Sequence, residues 1–258
     1  SRFIPLSFCH SCTTFVTFNF TPMGRVFEKR KHKMFARYDR MAKAFTRIGR
    51  EIAMAVKAGG TDPDHNPRLR QAMQNAKGAN MPKDRVEAAI NRASSKDSST
   101  FEEMVYEGYG PYGVAILVET ATDNPTRTVA NIRMYFTRNS GSLGTSGMLN
   151  FIFDRKGVFR IALENAGEPE ELELELIDHG LDSMEVDEET VIIYTAYADF
   201  GRMQKALEEM KIETTNAALE RIPTTYAEVT EEQVDEILEL VEKFEEDDDV
   251  IAVYHNLK

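Results

Sequence analysis

The side chains of this chain that could do chemistry are mostly cations. Residues 25–57 hold eleven Lys/Arg (positions 25, 29, 30, 31, 33, 37, 40, 43, 47, 50 and 57) against Glu28, Asp39 and Glu51, in a protein of formal net charge −12. Ammonium and guanidinium groups at that density neutralise phosphates, which supplies affinity and salt dependence but little sequence information. Two other patterns invite chemistry and fail on context. Cys9 and Cys12 make a C-x-x-C, but no strand-to-helix setting follows for a redox pair, and no second pair of ligands for zinc. Gly108, Gly110 and Gly113 match G-x-G-x-x-G; a dinucleotide site needs a helix after it, whereas Pro111 interrupts this one and a strand follows, so it reads as a turn between strands. The runs EELELE and EEDDD lack the glycine turn and alternating ligands of a calcium loop and read as solvated faces. The five histidines are scattered, and no Walker, H-E-x-x-H or triad arrangement occurs. No catalytic residue, cofactor or metal is expected.

The cations need a helix to present them. Tyr38, Met41, Phe45, Ile48, Ile52 and Ala55/Val56 follow the three-then-four spacing of one helix face. Arg40, Lys43, Arg47 and Arg50 keep the same rhythm two residues out of phase, about 200° away. One face therefore suits a core and the other an anion, with Lys29, Arg30, Lys31, Lys33 and Arg37 preceding them. Gly59-Gly60 stops this helix. Asn66-Pro67 caps and starts a second, which closes at Gly78, and Pro82 opens a third. Outer positions of this three-helix bundle add Arg68, Arg70, Lys77, Lys83, Arg85 and Arg92.

After the linker at 94–100 the pattern becomes strand-like. FEEMVYE and GVAILVET flank the glycine turn, and Asn124-Pro125 starts a helix bearing Arg127 and Arg133. Residues 139–147 read as a glycine-rich loop, and NFIF-DRKG-VFRI as a hairpin. Then come helix 169–179, strands across 184–195, helix 199–211 and strand 212–222. With VFRI as first strand this is the β-α-β-β-α-β order of a ferredoxin-like unit. A strand at 224–229, an acidic helix at 231–246 and the strand VIAVYHN end the chain. That last helix and strand have no local partner, so they are expected to complete the 105–119 sheet, making the ferredoxin-like unit an insertion. The fold class is α+β and multidomain: residues 23–98 a basic helical domain, 99–147 with 223–258 a discontinuous α+β domain, and 148–222 the inserted domain.

Charge is divided between these parts. Residues 24–100 carry 18 Lys/Arg and 8 Asp/Glu; residues 101–258 carry 12 and 35. Such asymmetry suggests a polyanion partner for the basic part. The basic face has no aromatic anchors for a membrane. No cysteine lies beyond position 12, as expected in a reducing cytoplasm. Residues 1–22 are a poor secretory signal and read as an upstream extension or start-site error ending before Met23, with a poor organellar presequence as the alternative.

Several stretches resemble one family. The basic start with KRKHK, FTRIGREI through NPRLR, NMPKD, YEGYGP.GVAILVE, TDN..RTVA.IR, F..KGV, IP.T at 222–225 and the terminal VYHN are similar to the YebC/PmpR family over residues 23–256. The resemblance implies a helical bundle followed by two α+β domains, the third inserted in the second, with no enzymatic activity and no cofactor. It implies DNA binding with control of transcription or, as the alternative, action on ribosomal or transfer RNA at the ribosome, relieving stalls such as those at proline runs. Phe27 stands near the place where the family has a Trp. The nucleic-acid-binding residues expected are Lys29, Arg30, Lys31, Lys33, Arg37, Arg40, Lys43, Arg47, Arg50, Arg68, Arg70, Lys83 and Arg127. Neither a membrane partner nor a particular oligomeric state is expected.

Overall fold

A computed structural model describes residues 24–95 and 100–258, with side chains from Met41 onward. The chain divides into two units, Ser1–Arg40 and Met41–Lys258. Of the first, the described part is the helix at residues 24–40, the opening of α1 (Gly24–Gly59); Cys9, Cys12 and the extension at 1–22 lie outside the described residues.

In the second unit α1 stops where Gly60 turns to φ +89°, a conformation that glycine adopts without a Cβ clash. Asn66 joins this stop to the next start. Its amide donates to Ala55 O at 2.7 Å and Gly60 O at 2.9 Å, while its side-chain oxygen accepts from Leu69 N at 3.1 Å. One buried side chain thus satisfies the end of α1 and the first turn of α2 (Pro67–Gly78). α3 (Lys83–Ser94) follows Pro82. Ile48, Ile52, Ala55 and Val56 of α1 pack with Leu69, Ala72, Ala76, Val86 and Ala93, the inner face that the apolar spacing requires.

β1 (Glu102–Tyr109), a short 3-10 turn at Pro111–Gly113 and β2 (Ala115–Thr122) form an antiparallel pair, so the glycine pattern is a turn between strands. α4 (Pro125–Arg138) is capped by Asn124. β3 (Ser142–Leu143) then pairs with β1, placing a short strand inside the stretch expected to be wholly loop. Instead of a hairpin at 151–161, a single strand β4 (Phe153–Ala162) runs straight through Gly157. The reason is its neighbours. β4 is paired with one strand from Phe153 to Ile161 and with another from Lys156 to Ala162, and a Cβ on Gly157 would lie 2.6 Å from Phe200. The glycine serves close packing and not a turn.

α5 (Leu163–Ala166), α6 (Pro169–Ile177), β5 (Leu181–Val186), β6 (Thr190–Ala196), α7 (Phe200–Glu209) and β7 (Thr214–Pro223) complete this unit. Its sheet has the order β5-β6-β4-β7, all antiparallel. With β4 as first strand this is the ferredoxin-like arrangement.

No strand forms at 224–229. Only a single bridge, Ala227 to Leu257, occurs there, because Thr224 N donates to Ile152 O and Asn256 Nδ2 donates to Thr225 O. α8 (Glu231–Glu245) follows behind a Thr230–Gln233 capping box, and β8 (Val250–His255) joins β2. The first sheet therefore has the order β3-β1-β2-β8, and the ferredoxin-like domain is inserted between its strands. Ile132 and Phe136 of α4 with Ile237, Leu240 and Phe244 of α8 cover one face of that sheet. Leu149, Ile152 and Phe153 cover the other.

Candidate nucleic-acid interface

α1 (Gly24–Gly59) holds most of the expected cations on its 36 residues. Lys29, Arg30, Lys31, Lys33, Arg37 and Arg40 all fall within its helical backbone, and their side chains lie outside the described residues. The seven remaining candidates, all in the second unit, separate by what already holds them.

Arg50 and Arg127 are held by one carboxylate. Arg50 Nη1 donates to Ala121 O at 2.6 Å and to Asp249 Oδ1 at 3.1 Å, and its side chain is 15 % exposed. Arg127 donates to Asp249 through Nη2 at 2.8 Å and Nε at 3.2 Å, and to Asp123 at 2.8 Å. Thr128 and Thr122 hydroxyls reach the same carboxylate at 2.8 and 3.2 Å. Burial opposes ionisation of Asp249. The hydrogen bonds from Arg127 and Thr128 and the charges of Arg127 and Arg50 outweigh it, so its pKa lies below the usual carboxylate range. The side of α1 opposite the bundle core is thus no uniform anion-binding face. At Arg50 it meets the end of the first sheet, and the guanidinium anchors the helix there.

Three further cations are partly engaged. Arg47 donates to Glu245 O at 3.1 Å, which complements the carbonyl end of α8. Arg68 pairs with Glu103 beside a groove of about 390 Å³ lined by Met54, Lys57 and Phe101. Arg70 lies 3.5 Å from Glu208. Lys43 and Lys83 show no ion pair or hydrogen bond among the described residues. Arg85 and Arg92, seven residues apart on α3, are exposed on one face. Arg85 sits over the Phe45 ring at 5.8 Å, which brings that face alongside α1 two residues from Lys43.

Sequence reasoning missed Asp249, because it stands in an acidic run that reads as solvent-facing. Asp249 is 3 % exposed, and its neighbour Asp247 accepts from Asn131 and Tyr135 at 3.1 and 3.2 Å. The available signal was position: Asp249 directly precedes the apolar strand VIAVY, where a side chain turns inward. Asn75 was also missed. Its amide accepts from Ala217 N at 2.9 Å and donates to Ala217 O at 3.0 Å, with Gln71 Nε2 at 2.6 Å from the same carbonyl. α2 thereby satisfies an edge strand of the ferredoxin-like sheet as a neighbouring strand would.

Among the described residues no group of three or more His, Cys, Asp or Glu could hold a metal ion, and no helix is long and apolar enough to cross a membrane.

Comparison with known proteins matches both parts of the chain. Residues 25–96 match the family description "TACO1/YebC protein N-terminal domain", and residues 101–257 match "TACO1/YebC second and third domain". A relative from Cytophaga hutchinsonii, named "Probable transcriptional regulatory protein", is 59 % identical over 236 residues, covering 91 % of this chain and 98 % of that protein. One of the same name from Parabacteroides distasonis is 55 % identical, covering 92 % and 97 %. The crystal structure of a conserved hypothetical protein, Aq1575 from Aquifex aeolicus, superposes with a TM-score of 0.75 at 36 % identity, covering 84 % of this chain and 90 % of that one.

Proposed function

Since the chain belongs to the TACO1/YebC family, we propose that it is a non-enzymatic regulator of gene expression that binds nucleic acid through the cations of α1 and the helical domain, acting as a DNA-binding transcriptional regulator. The relatives' name supports the regulatory reading at family level. The observation that carries the binding reading is the density of cations on α1 within an acidic protein. Lys29, Arg30, Lys31, Lys33, Arg37, Arg40, Lys43 and Arg47 are the phosphate ligands, joined by Lys83, Arg85 and Arg92. Arg50 and Arg127, tied to Asp249, act on binding only by fixing α1.

A second reading, a translation factor on ribosomal or transfer RNA, is favoured by a specific feature of the same helix. α1 runs 36 residues without a turn and offers no compact Arg/Asn/Gln group at the start of a short recognition helix, the usual means of reading base edges. A phosphate-reading helix suits any regular phosphate array.

The test is a titration of promoter-sized duplex and of tRNA over a salt series, beside co-sedimentation with ribosomes. Six phosphate contacts on a duplex predict a slope of about −5 in log K against log salt. Reversing Arg37, Arg40 and Lys43 together to Glu should abolish binding while the melting curve stays close to that of the wild type. Binding that survives this change refutes the role of α1. Tight ribosome binding with only weak, sequence-blind duplex binding refutes the transcriptional reading and selects the second.

A further inference from the structure

Phe151 is the most solvent-exposed of the large hydrophobic side chains described, at 73 %, yet it sits between side chains that are almost completely hidden: Leu149 at 0 %, Ile152 at 8 % and Phe153 at 3 %. A lone exposed apolar residue on a loose loop needs no explanation. This one is on a segment pinned from below. Glu107 of β1, itself 4 % exposed, accepts from Gly147 N at 2.8 Å and Leu149 N at 2.7 Å, one bond on each carboxylate oxygen. The Glu107 carbonyl accepts from Gly144 N at 2.8 Å, and Gly147 takes φ +87° to bring its N–H inward. The far end is held by Thr224, whose N–H donates to Ile152 O at 2.8 Å and whose hydroxyl lies 3.0 Å from the same atom. Two residues beyond Thr224 stands Tyr226, 51 % exposed. Buried anchors hold the backbone that presents an aromatic ring to solvent.

The surroundings of the ring say what it can receive. Residues 139–153 contain no charged side chain, and neither do residues 222–227, which meet them where Phe153 pairs with Pro223. Both segments belong to the half of the chain that carries 35 acids. The charges that directly flank these segments are Arg138, Asp154, Arg221 and Glu228, two of each sign, so the segments do not share the acidic excess of that half. The exposed neighbours in these segments are Ser140, Ser142, Thr145, Ser146, Asn150, Thr224 and Thr225, hydroxyls and an amide, with no further exposed aliphatic side chain among them. A protein-docking patch would surround its aromatic anchor with apolar contacts. An isolated ring in a polar, uncharged setting is instead what stacks on a nucleobase, since the base offers a π-face to the ring and hydrogen-bonding edges to the hydroxyls and amide.

We propose that Phe151, assisted by Tyr226, is a stacking platform for unpaired nucleobases, a second nucleic-acid contact apart from the cations of α1. The proposal rests on the nucleic-acid reading above and adds the class of partner: a strand or loop with unstacked bases, since a base inside a duplex has no free face. The ring contributes stacking and no charge, so it sets a preference for single strands without changing the number of phosphates neutralised.

The test uses the full-length chain and three probes, an oligouridylate, the matching oligodeoxythymidylate and a duplex of similar length, read by fluorescence anisotropy at several salt concentrations. Phe151→Ala should weaken single-strand binding about tenfold with an unchanged salt slope, unchanged duplex affinity and an unchanged melting temperature. Phe151→Tyr should restore it, and Tyr226→Ala should give a smaller loss. A loss confined to the oligouridylate assigns the platform to RNA; an equal loss on both single strands assigns it to unpaired bases generally. Wild-type affinity for single strands in Phe151→Ala, or an equal loss on the duplex, overturns the proposal. A wild-type protein that binds the duplex but no single strand overturns this inference and leaves the regulator reading standing; one that binds no probe overturns both.

Discussion

Removing the Asp249 carboxylate is the sharpest test of how the cations divide. Asp249 is 3 % exposed and receives Arg50, Arg127, Thr122 and Thr128. Asp249→Ala leaves the Arg50 guanidinium, 15 % exposed, with the Ala121 carbonyl and the Phe101 ring but no carboxylate, and leaves two buried threonine hydroxyls one partner short. Breaking a buried ion pair from one side costs about 3–5 kcal/mol. Because Arg127 can turn to Asp123 and water, the lower figure of about 3 kcal/mol applies, which for a chain of this size is a fall of roughly 6–12 °C in melting temperature. Asp249→Asn, which keeps one acceptor oxygen for the threonines, should lose less. The assay is thermal and urea unfolding followed by tyrosine fluorescence and circular dichroism, with Arg50→Ala and the double variant closing the cycle. The Asp249–Arg50 coupling should exceed about 1 kcal/mol. The pH dependence has a definite sign. The folded pKa of Asp249 is depressed, so its contribution is fully present above the unfolded value near 3.9 and is lost as pH falls through the folded value. The wild type should therefore lose stability in acid more steeply than Asp249→Ala. A variant within about 0.5 kcal/mol of wild type, or a coupling near zero, would refute the claim that Arg50 is an anchor.

Three further outcomes follow from other contacts. Asn75→Ala leaves the Ala217 N–H unpaired beneath α2 and should cost about 1–3 kcal/mol, while Gly78→Ala, whose Cβ would lie 1.8 Å from Thr215 O, should force α2 off β7; hydrogen exchange at residues 214–219 reads both, and unchanged protection there counts against the edge-covering role of α2. Glu107→Ala removes the acceptor for Gly147 and Leu149, and limited proteolysis should then cut within 144–151 far faster than in the wild type, with equal rates excluding Glu107 as the anchor. Burial, reinforced by Glu103 and opposed by Arg68 and Arg47, raises the pKa of Glu51. Its contribution is present below the unfolded value near 4.3 and is lost as pH rises through the folded one, so Glu51→Gln should gain stability relative to wild type as pH increases; a pH-independent difference would remove Glu51 as the titrating group.

The architecture was legible because its signals are local. Asn66-Pro67, Asn124-Pro125 and Gly59-Gly60 mark helix ends through backbone hydrogen bonds that a few neighbouring residues complete, and each helix begins or ends there. The inserted ferredoxin-like domain could be inferred because α8 and β8 have apolar faces with no partner nearby in sequence, and β2 supplies one. The errors lie where a residue's meaning is set at long range. Gly157 reads as a turn until Phe200 is known to press on it. Residues 224–229 alternate like a strand, but their hydrogen-bonding groups go to Ile152 and Asn256. Arg50 keeps the outward rhythm of Arg40, Lys43 and Arg47, and nothing within a few residues of it reveals Asp249.

Arg50 also explains why a basic helix can serve an acidic protein. Cations spaced for a polyanion would, in a chain with an excess of acids, collapse onto those acids unless the acids were placed. Asp249 takes Arg50 and Arg127 in a buried, geometrically fixed contact, and Glu103 and Glu208 take Arg68 and Arg70. The Asp249 pairing is specific because that carboxylate is also held by the Thr122 and Thr128 hydroxyls. Of these acids the buried Asp249 anchors the helical domain, and Lys43, Lys83, Arg85 and Arg92 stay uncommitted to any ion pair among the described residues. A phosphate competing for Arg50 would have to displace a carboxylate already desolvated and hydrogen-bonded, whereas one approaching Lys43 or Arg92 displaces only water and counterions. Charge count alone assigns these cations one role; the cost of freeing each one separates the anchor Arg50 from the cations proposed as phosphate ligands.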